Sequence, residues 1–345
     1  MLQAVMTSPG EIEFREVPVP EIGEEEVLVK IMSIGVCGSD IHVYHGKHPY
    51  TSYPVVQGHE VSGEIFKAGK RVTQFKPGDK VTIQPQVTCG KCYSCTHGSY
   101  HICDDLKVMG FQTTGTASEF FAVEAAKVIK IPDRLDFDEG AMIEPVAVAV
   151  HALGRGGDVK GRKVLVLGAG PIGNLVAQAA KGLGAEAVMI SDVSGYRLAL
   201  AKDCGIDFTV DAKQQDLGKA LIENFGPDKA DLILECVGIN ATTSQAVEYA
   251  RKGTDIVIVG VFGEKASVDM GLVQDRELRL IGTLMYQEKD YYKAIELIEG
   301  RKINLKPLIS NHFPFKEYLN AYQFIEKQKD QVMKVIIDIQ EANRA

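Results

Sequence analysis

The run Lys163-Val164-Leu165-Val166-Leu167 passes without a break into Gly168-Ala169-Gly170-Pro171-Ile172-Gly173. Its four consecutive apolar residues, Val164 to Leu167, read as a strand buried on both faces, which in practice means a parallel sheet covered by helices. The hexapeptide fits G-x-G-x-x-G, and it stands in the strand-to-helix context that gives the pattern meaning. Gly168, Gly170 and Gly173 let the backbone turn sharply and approach a pyrophosphate. Pro171 and Ile172 open a predicted helix through residue 183, whose N-terminus offers N–H donors and partial positive charge. Asp192 ends the next apolar run. A carboxylate there can accept bonds from ribose hydroxyls and repels a 2′-phosphate, so NAD is expected rather than NADP. Arg197, one helical turn further on, can flank the adenine, pair with Asp192, or stand as a solvated helix charge.

The strand–helix rhythm continues through the runs 231–234 and 255–259, implying an α/β class with helices on both faces of a doubly wound parallel sheet. Upstream the character differs. The runs 27–31, 60–65 and 79–83 are short, β-rich and bounded by Gly, Pro and Asp. Two amphipathic helices are expected near 290–300 and 316–328, with a last strand over 332–339. At 345 residues, two domains are the natural expectation. They are placed at 1–150 with 289–345, and at 151–288.

Cys89, Cys92, Cys95 and Cys103 follow C-x2-C-x2-C-x7-C. That spacing lets four thiolates close on one tetrahedral zinc ion, a site with no open position and therefore a structural one. Paired disulfides are the alternative, against which stand the two-residue spacings and the absence of a secretion signal. A second constellation joins Cys37-Gly38-Ser39-Asp40-Ile41-His42 to Gly58-His59-Glu60, with Glu144 a further acidic candidate. Thiolate, imidazole and carboxylate make a mixed zinc shell that can keep one position open for chemistry.

Taken in order, Cys-Gly-Ser-Asp-x-His, Gly-His-Glu, the cysteine lobe, Ile143-Glu144-Pro145 and the glycine motif resemble the zinc-dependent medium-chain alcohol and polyol dehydrogenases. The likeness is to the branch holding sorbitol (L-iditol) and L-threonine dehydrogenases. It implies a GroES-like β-barrel catalytic domain joined to a Rossmann domain. It also implies a catalytic zinc on Cys37, His59 and a glutamate, with Glu60 and Glu144 both candidates, and two zinc ions per chain. Asp40 matches the residue that orients the zinc-bound histidine, Ser39 the hydroxyl that relays a proton, and His42 its continuation to solvent. Val237, Val259 and Val261, in loops after later strands, are expected to hold the nicotinamide end. His45 and His48 read as loop histidines, Tyr50 as a residue that can line the pocket, and Phe111 as a core residue that can also reach it.

The implied reaction is NAD+-linked oxidation of a secondary alcohol. Met285 stands where similar sorbitol dehydrogenases often carry arginine. The substrate therefore stays open among polyols, sugar acids, 2,3-butanediol and L-threonine. A non-catalytic nucleotide-binding protein is the alternative of another class, and it predicts one zinc ion or none. The net charge of −8, with basic residues scattered, argues against nucleic-acid partners. No run of 18 apolar residues suggests a membrane span. Clustered thiols fit a reducing cytoplasm. The resemblance further implies a homodimer or homotetramer, with residues 278–284 a candidate interface.

Overall fold

The structure, a computed structural model, describes residues 1–340. The chain forms two compact units, Met1–Glu144 together with the chain from Ile309 onward, and Pro145–Leu308. In the first, β1 (Glu26–Gly35) leads into α1 (Gly38–Tyr44). Then follow β2 (Glu60–Ala68), β3 (Lys80–Ile83), β4 (Phe120–Glu124), β5 (Val128–Lys130) and the short helix α2 (Phe137–Ala141). β1 is antiparallel to both β2 and β4, and the ladder continues from β2 to β3 to β5. Val27, Val29, Ile31 and Ile34 of β1 are fully buried, so this central strand anchors the unit's core.

Helix α3 (Ile143–Arg155) carries Glu144 in its first turn. The second unit then alternates strand and helix. Its elements are β6 (Lys163–Leu167), α4 (Pro171–Gly182), β7 (Ala187–Asp192), α5 (Gly195–Asp203), β8 (Phe208–Asp211), β9 (Leu232–Glu235), α6 (Asn240–Tyr249), β10 (Asp255–Ile258), β11 (Arg279–Gly282) and α7 (Glu288–Glu299). All five ladders are parallel, in the order β8-β7-β6-β9-β10-β11. This is the doubly wound arrangement, with its order reversing between β6 and β9. A crevice at the carboxyl ends of those two strands is where such sheets take ligands.

β12 (Ile309–Pro314), α8 (Tyr318–Gln328) and β13 (Lys334–Asp338) then rejoin the first unit. β13 pairs antiparallel with β1, and β12 extends the sheet beyond it. The unit borders fall at 144/145 and 308/309, where the sequence placed them at 150/151 and 288/289. α7 stays with the second unit because its polar groups are tied there. His151 Nδ1 lies 2.8 Å from Asp290 Oδ2. Just beyond the helix, Asn304 N donates to Gln178 Oε1 at 2.6 Å, and Gln178 Nε2 donates back to Asn304 O. An amphipathic pattern foretells a helix but not which unit covers it.

Candidate metal centres and nucleotide site

The register of β1 on β2 sets Gly35 opposite Glu60. Cys37, two residues past β1, and His59, one residue before β2, are thereby brought together. Gly35 has to lack a side chain, because a Cβ there would lie 2.2 Å from Glu60 Oε2. Cys37, His59 and Glu60 each offer a ligand atom, all within 4.8 Å of one another. His59 and Glu60 are buried and Cys37 half-buried. His59 Nδ1 lies 3.5 Å from Asp40 Oδ1 and has no hydrogen-bond partner. Burial disfavours the charged ring, but Asp40 and then Cys37 lift His59 well above the ordinary histidine value. With Nδ1 turned to Asp40, Nε2 is the nitrogen left for a metal. Sulfur, nitrogen and carboxylate oxygen converging in a buried place suit zinc.

A cation already stands beside this group. Lys334, 2% exposed, places Nζ 2.6 and 2.5 Å from the two oxygens of Glu60 and donates to Val36 O at 3.1 Å. Burial works to discharge it, yet Glu60, Cys37 and Glu144 hold its pKa above the usual lysine range. Glu144, itself buried, thus acts on the same locality, although it lies outside the trio of clustered ligand atoms.

Ser39 is half-buried in the first turn of α1 and His42 is exposed on the next. Three residues apart, they share one side of the helix. Phe111 lies 5.0 Å, centroid to centroid, from the His59 ring and stacks on His48 at 4.6 Å. With Tyr50, Arg15, Gln3 and Gln112 it lines a cavity of 730 Å³. That volume is in the range of small-molecule sites.

In the cysteine lobe, Cys92 Sγ and Cys103 Sγ are 3.9 Å apart and all four thiols are free. Sulfurs about 2.3 Å from a tetrahedral ion would stand about 3.8 Å from each other, so this spacing fits zinc and not a disulfide. Cys89 N donates to Cys103 Sγ and Cys92 N to Cys89 Sγ, both at 3.3 Å. N–H groups of Asp104 and Cys95 pull the Cys92 thiol down to about 6, while desolvation and the neighbouring thiols push Cys95 up to about 12. Four sulfurs this close cannot all ionise without a cation among them. Among the described residues a third cluster with ligand atoms in reach joins Asp138, His312 and Asp338. There the acids face opposite ring nitrogens, at 3.6 and 3.4 Å, which braces the ring.

In the second unit the glycine turn closes tightly at the switch point. A Cβ on Gly173 would sit 1.9 Å from Gly168 O. Gly170 is the N-cap of α4 and Pro171 its first residue. Asp192 ends β7 and uses both oxygens locally, accepting Ala169 N at 2.6 Å and Ser194 N at 2.8 Å. It therefore ties the glycine turn to the end of its own strand. The Arg197 side chain lies beside the same turn: a Cβ on Gly170 would be 3.9 Å from its Nη1. Val237 and Val261 are exposed at the carboxyl edge, and Val259 N donates to Glu235 O.

Four residues that the sequence did not single out matter here. Lys334 pairs with Glu60, and Gln57 and Tyr322 lie behind Asp40. Glu235, fully buried, accepts from Val237 N, Gly238 N and Thr242 Oγ1. A lysine inside an otherwise apolar terminal strand was the one available signal among them.

Residues 23–133 match the alcohol dehydrogenase GroES-like domain, and residues 171–300 match the zinc-binding dehydrogenase domain. Sorbitol dehydrogenase of Ovis aries is 34% identical over 332 residues, spanning 94% of this chain and 93% of its own. Galactitol-1-phosphate dehydrogenase from Escherichia coli is 31% identical and superposes with a TM-score of 0.92 over 98% of this chain and 100% of that one. A zinc-binding dehydrogenase from Sinorhizobium meliloti 1021, solved bound to NADP, is 30% identical with a TM-score of 0.90, covering 98% and 99%. With likeness over nearly the whole length in both sequence and fold, this chain is an oxidoreductase of the zinc-dependent medium-chain alcohol and polyol dehydrogenase family.

Proposed function

We propose that the protein oxidises a secondary alcohol of a polyol or sugar-derived substrate with NAD+, giving a ketone, NADH and a proton. The observation that carries this reading is the convergence of half-buried Cys37 with buried His59 and Glu60. Cys37 and His59 would hold the catalytic zinc, with Glu60 or Glu144 as the carboxylate. Cys89, Cys92, Cys95 and Cys103 would hold a second, structural ion. When bound, the catalytic zinc supplies Lewis acidity that lowers the pKa of a hydroxyl, and NAD+ accepts the hydride.

The chain's own residues do the rest. Ser39 Oγ takes the substrate hydroxyl's proton and passes it to His42, which is open to solvent. Asp40 holds the His59 ring. The polar lining of the cavity beside Phe111, with Arg15, Gln3 and Gln112, suits a ligand carrying several hydroxyls. The N-terminus of α4 receives the pyrophosphate, and Arg197 flanks the adenosine. Asp192 disfavours a 2′-phosphate, which supports NAD over NADP. Val237, Val259 and Val261 would contact the nicotinamide. Edge strand β11 presents the exposed Leu280, and Leu284 follows it, which supports assembly of identical subunits through that edge. Among the described residues no helix is long and apolar enough to cross a membrane. Seven free thiols support a reducing, cytoplasmic setting.

The test is a screen of NAD+ reduction over polyols, aldonic and uronic acids, 2,3-butanediol and L-threonine, with zinc analysis alongside. Turnover of a polyol or sugar acid and two zinc ions per chain support the reading. No turnover across the panel with zinc fully loaded would overturn it, and Cys37→Ser should abolish turnover while NAD binding survives.

A further inference from the structure

Behind the Cys37 and His59 pair runs a buried polar chain that ends on the C-terminal helix. Asp40 Oδ2 accepts Cys37 N at 2.9 Å, and Asp40 Oδ1 faces His59 Nδ1 at 3.5 Å. One carboxylate thus addresses both residues. Gln57 Nε2 donates to Asp40 Oδ1 and to Asp40 O, both at 3.3 Å. Gln57 Oε1 in turn accepts from the Tyr322 hydroxyl at 3.0 Å. Asp40 is 1% exposed, Gln57 2% and Tyr322 0%, so all three are sealed from bulk water. The Tyr322 ring is clamped between Tyr44 and Tyr318, with centroids 5.2 and 5.6 Å away.

The polarity of this chain is directional. The tyrosine hydroxyl can satisfy the Gln57 carbonyl by donating to it. That leaves the amide N–H pointing at Asp40, whose carboxyl oxygen accepts it. A buried amide oxygen left without its donor would gain by turning elsewhere. Resting on the reading of Cys37 and His59 as metal ligands, we propose that Gln57 and Tyr322 are positioning residues for that metal: Tyr322 sets the Gln57 amide, and Gln57 fixes the Asp40 carboxylate that aims both ligands. Groups behind metal ligands commonly change metal affinity about 10- to 100-fold when removed. Tyr322 belongs to α8, so the C-terminal return is wired to the site through this residue as well as through Lys334.

The experiment uses the full-length protein loaded with cobalt(II). The variants are Tyr322→Phe, Gln57→Leu and the two combined. The Cys37-site spectrum is taken as the difference from Cys37→Ser, which removes the four-cysteine site from the reading. Two quantities are measured: the cobalt absorption band, and the rate at which a chelator strips that site. The expected result for Gln57→Leu is release faster by about tenfold with a displaced band. Tyr322→Phe should show the same change to a smaller degree, and the double variant should be no worse than Gln57→Leu alone. Unchanged band and release rate in Tyr322→Phe and Gln57→Leu, even with lowered melting temperatures, would make both residues structural only and overturn the proposal. Tyr322→Phe keeps the ring and its stacking, so it carries the test if Gln57→Leu folds poorly. Wild-type protein that takes up no cobalt dependent on Cys37 would refute the ligand reading itself, and the proposal with it.

Discussion

Lys334 Nζ stands 2.6 Å from one oxygen of Glu60 and 2.5 Å from the other, and both residues are sealed from solvent. They lie far apart in the chain and meet because β13 pairs with β1 while β2 pairs with the other side of β1. Val36 O takes a further lysine N–H. A buried charge is tolerated only when paired and hydrogen-bonded, and here each charge supplies the other's reason to be inside.

Removing one partner therefore costs more than losing a contact. In metal-free protein, Lys334→Met is expected to destabilise the fold by about 3–5 kcal/mol, because Glu60 is left as an uncompensated buried carboxylate. Adding Glu60→Gln should recover part of that loss. Denaturant midpoints of the two single variants and the double variant measure it; additive losses would show that the pair is not coupled.

The cysteine lobe should behave as scaffolding. Cys95→Ser removes one of four sulfurs and is expected to lose one zinc equivalent and several degrees of melting temperature, with turnover at low temperature nearly intact. Zinc analysis, thermal unfolding and initial rates check this. A variant as stable as wild type but inactive would give the lobe a direct part in the reaction.

Asp192 carries two tasks that one substitution separates poorly but two separate well. Asp192→Ala removes both the repulsion of a 2′-phosphate and the acceptor for Ala169 N. Asp192→Asn keeps an acceptor and removes the charge. Both should lower the kcat/KM ratio of NAD to NADP by about tenfold or more, equal to about 1.4 kcal/mol. Only Asp192→Ala should also weaken binding of NAD through a loosened glycine turn. An unchanged ratio in both would remove Asp192 from cofactor choice.

How far these features could be seen beforehand depended on whether they were local. The parallel sheet was visible because β6, β7, β9 and β10 are short continuous apolar runs, and the glycine turn because its spacing is contiguous. Cys37, His59 and the four cysteines were found as residue types in an order. Lys334, Gln57 and Tyr322 were not, because their meaning arises from pairing between distant segments. Lys334 in a strand reads as a solvent-facing residue until β13 is laid against β1. Gln57 beside Gly58 looks like a turn residue, and Tyr322 fits the apolar stripe of an amphipathic helix. The border at 308/309 was hidden for the same reason, since hydrogen bonds between Gln178 and Asn304 decide where the segment after α7 belongs.

Asp231 gives the second unit a dependence on acid. It accepts Lys163 N at 2.8 Å and pairs with Arg251 at 2.5 Å. Burial opposes its charge, but the Lys163 N–H and the Arg251 guanidinium hold its carboxyl below the usual range. A folded pKa below the unfolded value, near 3.9, means a contribution present above that pH and lost as pH falls through the folded value. Asp231→Asn should cost about 1–2 kcal/mol at pH 7. The gap to wild type should close below about pH 4. Urea midpoints at both pH values check it, and a gap that does not change with pH would exclude the linkage.

Glu235 is a fully buried carboxylate, and among the described residues no cation is one of its hydrogen-bond partners. It is balanced instead by Val237 N and Gly238 N, both at 2.9 Å, and by Thr242 Oγ1 at 2.7 Å. Val259 N and Gly260 N bond to its main-chain oxygen. One residue thereby fixes the loops after both β9 and β10, at the sheet's carboxyl edge, where Val237 and Val261 are exposed. Gln at this position keeps the shape but turns an acceptor oxygen into a donor facing N–H groups. Glu235→Gln should therefore lose about 1–3 kcal/mol of stability and raise the KM for NAD several-fold. Glu235→Asp, which keeps the charge but shortens the reach, should fall between. Stability lost with KM for NAD unchanged would assign Glu235 to the core of the second unit and not to the placement of the cofactor loops.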